Sequence, residues 1–491
     1  MPKKSVVFIT TSANGQANVH IAAASSIILK ERDIDVHFIS FPSIQPDVQA
    51  TTRLVTKLSP RTKTIQFHSL PGLSHTEAII RAFPRQSQIC HGWGFREAAR
   101  WYKLLPDLIL PWSVEEYILQ FKTIVMEIEA IIATSNGKEN VVCVVDSLFA
   151  AGIDAVKHLG TPMCLLSPNT LKELALDKQP NAAALWRYPV VGSGYPFPLP
   201  WYLVPFNFLL IIWLVYQIST SKAVKEKGAA LGQHRPPLLE NFMNAFSIDI
   251  PTLCQSLPET DFPYAFTPTN VTFCGPILRP SETLSDCDMD LKSWLDGKRT
   301  VLINLGGVVA FTHRNGSEIA EAIKILLRHS SNVQVLWKVK YGSYISQAET
   351  FYPQKTLAAE LEAGSVRIVD WIPIEPSALM REANIVAAVN HGGASSWNEA
   401  IASGIPQVNL PLWADTYDFA RRSEMLGVGI WGSKTSAPGY DAKELGQALI
   451  DVVEGETAAL LTAKARQFMA LISSKGEGRD IAATRILELL D

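Results

Sequence analysis

Several features are scarce or missing in this chain, and each absence excludes a class of protein. Six cysteines (Cys90, Cys143, Cys164, Cys254, Cys274 and Cys287) are scattered with no CxxC pair, which argues against a zinc ribbon or a disulfide frame and suits reduced, buried thiols. The formal net charge is only −3, so no excess of positive charge points to nucleic acid. Tandem repeats and low-complexity tracts are absent. Lys3-Lys4 precedes an apolar run, Val6–Thr10, that is too short for a secretory signal and reads as a first strand. The last residues, Ile481–Leu490, read as an amphipathic helix rather than a membrane span. A cytoplasmic protein, possible contact with a membrane surface aside, is expected.

What the chain does have is apolar bulk. Of 491 residues, 47% are hydrophobic and 19% charged, enough for large cores and for two to four domains. The stretch that organises the rest is Val389–Pro411. An apolar run, Ile385–Val389, reads as a buried parallel strand and stops at Asn390-His391-Gly392-Gly393. A helical pattern follows from Ser395 to Ser403, ended by Gly404-Ile405-Pro406, and Gln407–Leu410 reads as the next strand. The unit is βαβ with a polar turn at the strand's carboxyl end. Gly393 allows close backbone approach, Ser395 and Ser396 place hydroxyls and N–H groups at a helix N-terminus, and His391 offers a donor to a phosphate oxygen. Glu399, one turn further in, suits a ribose diol, and Asp415 suits sugar hydroxyls.

The segment from His391 to Asp415 resembles the nucleotide-sugar signature of the UDP-glycosyltransferases (family 1, GT-B fold). His391, Gly393, Ser396, Glu399, Gly404, Pro406, Pro411 and Asp415 match its order and spacing; Gly392, Ala394, Ser395 and Thr416 depart from the plant form. Thr416 stands where a glutamine usually helps hold the sugar. The resemblance extends upstream. Gly306-Gly307 after the strand Thr300–Asn304 looks like the turn that approaches the phosphates. Trp371-Ile372-Pro373 looks like the segment whose tryptophan stacks on uracil and whose next residue, here Ile372, reads the base edge through its backbone; Ile374 replaces a glutamine. No Asp-x-Asp metal motif occurs in the donor turn, so no metal or other cofactor is expected.

The amino-terminal half opens with a strand, Ser5–Thr11, a helix from Ala17 to Lys30 and a strand, Asp35–Ser40. In the family this region carries the general-base histidine; its position here is Gln16, which takes up no proton near neutral pH. His20, one helical turn on, is either a displaced base or a helix histidine packed with Ala24, Ile27 and Ile28. Asp146, ending the strand Val141–Val145, looks like the aspartate that orients the base; an N-cap is the plainer reading. His75, His91 and Trp93 are acceptor-pocket candidates. Residues Arg187 to Lys222 enclose a segment without charge, and Phe206–Ile218 is intensely apolar: an acceptor lid, a membrane-facing helix or a core helix. His234–Pro237 with Leu238–Phe246 reads as a surface excursion and helix.

The resemblance, closest to soluble fungal-type members, implies an α/β fold of GT-B type with two facing Rossmann-like domains. The expected division is 1–280 for the acceptor domain, 281–298 for a linker, 299–470 for the UDP-sugar domain and 471–491 for a helix crossing back. It implies an inverting hexosyltransferase moving a hexose, glucose first among candidates, from a UDP-sugar to a small lipophilic acceptor such as a phenol or other secondary metabolite, in a monomer that takes no nucleic acid. The rival reading is a UDP-sugar-binding protein in which Gln16 has abolished transfer.

Overall fold

The computed structural model describes residues 3–31, 33–60, 63–232, 250–307, 309–340 and 352–490; the helix expected over residues 238–246 lies outside them. Two open sheets carry the chain, and every strand pair in both is parallel. The first comprises β1 (Ser5–Ile9), β2 (Asp35–Ser40), β3 (Gln66–Ser69), β4 (Val141–Asp146), β5 (Met163–Ser167), β6 (Thr252–Cys254) and β7 (Val271–Phe273), in the order β3-β2-β1-β4-β5-β6-β7. The second comprises β8 (Arg299–Ile303), β9 (Val333–Lys338), β10 (Val366–Val369), β11 (Ile385–Asn390), β12 (Gln407–Asn409) and β13 (Gly429–Trp431), in the order β10-β9-β8-β11-β12-β13.

Helices on both faces explain the strand sequences. β1 and β4 are buried at every position, so both read as continuous apolar runs rather than alternating ones. One face of the first sheet packs on the helix Asn14–Lys30 through Val6, Phe8, Ala17, Ala24 and Ile28. The closing helix, Gly478–Leu487, joins that same cluster through Ala482, Ala483 and Ile486, and Ser26 Oγ donates to Asp480 Oδ1 at 2.6 Å. The chain end is thus fastened to the first sheet's helical layer.

Strand order reverses between β1 and β4 in one sheet and between β8 and β11 in the other. A crevice opens outside the carboxyl ends of strands at such a switch point. The turns after β1, β4, β8 and β11 are therefore where chemistry belongs, and they begin at Thr10, Ser147, Asn304 and His391.

Two expectations change in detail. Residues 281–298, expected as a linker, hold two short helices, Leu284–Cys287 and Met289–Gly297. The apolar segment forms a longer element than its 13-residue core suggested, a continuous helical stretch Trp201–Thr220 of 20 residues.

Candidate functional site

The helix Ala394–Ala402 starts directly after β11, with Gly393 as its N-cap and no side chain capping it. Its first N–H groups consequently face open space rather than a local oxygen. Two polar atoms beside it are buried without a partner, Nδ1 of His391 and Oγ of Ser395. Glycine is required at two places in this turn. Gly392 sits at φ +77°, and a Cβ there would meet the Thr416 carbonyl oxygen at 2.6 Å. A Cβ on Gly393 would lie 2.4 Å from Nε2 of His391.

These groups line a cavity of about 640 Å³ between the two sheets, with Gly307, Trp371, Ile372, Ser396 and Glu399 on the same wall. Eight of the ten donor-side candidates therefore converge. Trp371 is 59% exposed, which leaves a ring face free for an aromatic base. The opposite wall comes from Asn14, Gly15 and Asn18 of the first helix and Asp47, Thr51 and Arg53 of the helix Gln45–Leu58. Arg279 joins the walls, with Nη1 at 2.9 Å from Asp47 Oδ1 and 3.4 Å from Glu375 Oε1.

A buried cation in the cavity escaped the sequence reading. Lys338, the last residue of β9, is 7% exposed, and its Nζ stands 4.2 Å from the Trp371 ring centroid and 3.3 Å from the Gly306 carbonyl oxygen. Lys340, two residues past the strand's end, donates to the Gly307 carbonyl. Burial, with Lys340 adding to it, pushes the Lys338 amine down to about 8. Burial and the Lys338 charge push His391 down to about 4, so His391 is neutral at pH 7 and offers a single N–H donor. The available signal was a lysine closing a buried parallel strand, at the end where ligands bind.

Glu399 is pushed up to about 8 by burial, with Glu375 adding and Lys338 opposing. Between the ordinary carboxylate range and pH 8 the native state thus keeps a proton that the unfolded chain has released. Stability falls as pH rises through that window. Glu399→Gln is expected to flatten the decline in melting temperature from pH 5 to pH 8; a variant that declines as steeply as the parent excludes Glu399 as its source.

Two donor-side candidates do not line the cavity. Thr416 is 1% exposed, and its hydroxyl is fully engaged within its own loop: it donates to the Trp413 carbonyl and accepts from the N–H groups of Leu412 (3.2 Å) and Trp413 (3.1 Å). It shapes the turn and has no donor left for a sugar. Asp415, partly buried at the start of the helix Thr416–Leu426, is pushed up to about 7 by burial and by Asp418.

The three candidates for acceptor activation also lie off the cavity lining. His20 has no exposed surface; its Nδ1 donates to the Gln16 carbonyl oxygen at 2.8 Å and its ring packs edge-on against Phe8 at 6.2 Å. The displaced-base reading is corrected: this helix face is sealed against β1, as Ala24, Ile27 and Ile28 foreshadowed. Asp146 is also fully buried. Its Oδ2 accepts from Thr10 Oγ1 (3.0 Å) and Thr11 Oγ1 (3.3 Å) and its Oδ1 from Leu148 N (2.9 Å), so it braces the turns after β1 and β4 and faces no histidine within hydrogen-bond reach. Gln16 lies in the first turn of the first helix, its Oε1 buried and unpartnered.

The remaining candidates have structural partners. His91 clasps the halves together: its Nε2 accepts from Ala414 N at 2.9 Å while Nδ1 donates to Gly92 O at 2.7 Å. Trp93 Nε1 donates to Lys434 O at 2.8 Å. His75 Nε2 donates to Leu108 O at 3.0 Å, its ring 5.4 Å from that of Trp112. A buried ion pair, Lys172 Nζ to Asp418 Oδ2 at 2.5 Å, also crosses between the halves. Among the described residues, no group of three or more His, Cys, Asp or Glu side chains is placed to hold a metal ion.

Comparison with known proteins agrees with this fold. Residues 354–484 match the erythromycin biosynthesis protein CIII-like C-terminal domain family. Glycosyltransferase sdnJ of Sordaria araneosa is 31% identical over 475 residues, covering 94% of this chain and 90% of that one. The human 2-hydroxyacylsphingosine 1-beta-galactosyltransferase is 27% identical over 295 residues, 55% of this chain and 48% of its own. Among solved structures, a UDP-glucosyltransferase from Polygonum tinctorium capable of glucosylating indoxyl superposes with a TM-score of 0.64 at 16% identity, covering 100% of this chain and 99% of that one. Phytolacca americana UGT2, complexed with UDP-2fluoro-glucose and pterostilbene, superposes with a TM-score of 0.62 at 15% identity, with coverage of 100% and 99%. Both share the two-sheet GT-B architecture. The chain belongs to the family 1 UDP-glycosyltransferases.

Proposed function

We propose that this enzyme transfers a hexose, glucose being the first candidate, from a UDP-sugar to a small lipophilic acceptor with an acidic hydroxyl, in one inverting displacement. The observation that carries the reading is the unpartnered pair in the donor turn, His391 Nδ1 and Ser395 Oγ, buried beside an uncapped helix N-terminus. Buried polar groups without partners are costly unless a ligand satisfies them. A diphosphate does so, and the helix N-terminus favours its charge.

In this arrangement uracil stacks on the Trp371 face turned away from Lys338, and the Ile372 backbone meets the base edge. Glu399 meets the ribose diol. His391, Ser395 and Ser396 donate to the diphosphate, and Gly307 lets the opposing turn approach it. As the bond from the sugar's anomeric carbon to phosphate oxygen breaks, a bond to the acceptor oxygen forms on the opposite face, and the acceptor's proton is released to water. Negative charge develops on the UDP leaving group beside Lys338, where a fixed cation in a low-dielectric site has most effect. With Gln16 in place of a base, the proton is most easily lost from an acceptor that is already acidic.

His391→Ala is expected to weaken UDP binding by about 1.5–3 kcal/mol, the range for a hydrogen bond to a charged partner. Calorimetry returning the parent affinity removes His391 from the site. Turnover of UDP-glucose with a panel of phenols, followed as UDP release, tests transfer itself; binding of UDP without turnover across the panel defeats the proposed reaction and favours the non-transferring binder.

A further inference from the structure

The apolar helix Val204–Thr220 has two faces that contrast sharply. Its inner face is fixed to the body. Asn207, fully buried, donates to the carbonyls of Leu185 (3.1 Å) and Tyr188 (3.0 Å) and accepts from Val190 N (2.8 Å). Leu210 is fully buried among Ala98, Trp101 and Tyr102, and Trp213 Nε1 donates to Ala99 O at 2.8 Å. The outer face is bare: Trp201 is 84% exposed, Tyr202 57%, Leu209 51%, Ile212 50% and Tyr216 54%, with Phe208 between them at 43%. The exposed positions from 208 onward recur every three to four residues, so they form one stripe along the helix. A soluble surface rarely leaves so many large apolar side chains contiguous.

We propose that this stripe docks the protein peripherally on an anionic lipid bilayer, with the helix lying in the headgroup plane. Two observations select a bilayer over other occupants. The first is side-chain placement. Trp201 and Tyr202 mark one end and Tyr216 the other, amphipathic rings of the kind that settle at the membrane–water boundary, with Phe208, Leu209 and Ile212 between them. The second is charge. The stripe carries no acidic or basic side chain, and its flanks are mainly basic. Arg96 and Arg100, both exposed, each follow by one position a residue that touches this helix: Phe95 against Phe206 at 5.6 Å, and Ala99 bonded to Trp213. Lys103 stands 5.9 Å from the Trp213 ring, and exposed Lys222 and Lys225 follow the helix end, with Glu226 pairing Lys222 at 3.5 Å. Basic flanks on an apolar stripe match a surface of anionic headgroups over acyl chains. The helical stretch Trp201–Thr220 is long and apolar enough to cross a bilayer by length and composition. Crossing would strip Asn207 of its three bonds to the body, whereas lying flat preserves them.

The test is flotation of the full chain with phosphatidylcholine vesicles, with and without phosphatidylserine. The expected result is flotation with the anionic vesicles, weakened by added salt, and a loss of about tenfold or more in vesicle partition for Leu209→Glu with Ile212→Glu. UDP-induced thermal stabilisation of that variant, equal to the parent's, shows that it is folded. Should it not fold, Lys103→Glu with Lys225→Glu reads the electrostatic half alone and is expected to lower partition onto anionic vesicles only. A parent protein that stays at the bottom with anionic vesicles overturns the proposal, as does a folded Leu209→Glu, Ile212→Glu variant that floats unchanged. A parent dimer by light scattering that the same variant turns into monomer also overturns it and assigns the stripe to a second copy of the chain.

Discussion

Lys338→Met is expected to lower kcat by about 10²–10³, the usual loss when one preorganised group facing developing charge is removed. The residue is a buried amine between the Trp371 ring and the Gly306 carbonyl, in a cavity where no metal ligands gather among the described residues. It is close enough to His391 and Glu399 to shift both titrations. Methionine keeps much of the length and removes the charge, so folding should survive. A second signature separates charge from packing. The amine is held down to about 8, so above pH 8 the free protein loses this proton and with it part of its attraction for diphosphate. UDP affinity should fall as pH rises through 8, and Lys338→Met should be weak throughout and insensitive there. Because Glu399 titrates in the same range, both profiles are best measured in a Glu399→Gln background. Calorimetry at pH 7 and pH 9 reads the difference. Parent-like kcat in Lys338→Met, with an unchanged pH profile, would falsify its role at the leaving group.

The second large effect concerns the acceptor. General-base help is worth roughly 10²–10⁴ in rate, and position 16 holds a glutamine. His20 offers no remedy, because it lies on the first helix's inner face, sealed against Phe8 of β1. A phenol series should therefore show rates rising as acceptor pKa falls, and an aliphatic alcohol should react roughly 10²–10⁴ more slowly than an acidic phenol. His20→Ala should leave kcat for phenols unchanged per folded molecule while lowering stability by about 1–3 kcal/mol, as expected for a buried truncation that also removes a bond to the Gln16 carbonyl. Steady-state kinetics on five or so phenols and one alcohol, beside a melting curve, measure both. Equal rates on the alcohol and the phenols would mean that a base does act at this site. A steep kcat loss in His20→Ala at unchanged stability would identify that base as His20.

The donor half of the site was legible in the sequence because its information is local. Strand, glycine turn, helix and strand lie within Val389–Pro411, and the groups meant for one ligand are set by spacing along a single βαβ unit. Spacing put His391, Gly393, Ser395, Ser396 and Glu399 at one strand end, and the resemblance to the family's motifs added Trp371 and Gly307; all seven line one cavity. The parallel sheets were equally readable, since strands buried on both faces leave continuous apolar runs. What the sequence did not determine is which neighbour each side chain meets from elsewhere in the chain. Thr416 looked free until three backbone groups of its own turn were seen to engage it. Asp146 looked like a base's partner, but hydroxyls some 136 residues away in sequence hold its carboxyl. Lys338 gained its place only when β9 and Trp371 came together. In the apolar helix, composition could not separate Leu210 from Leu209, because both suit either side of the helix equally. Packing against Trp101 and Tyr102 buried the first and left the second bare. Periodicity fixes which residues share a face, and only tertiary packing decides which face is covered.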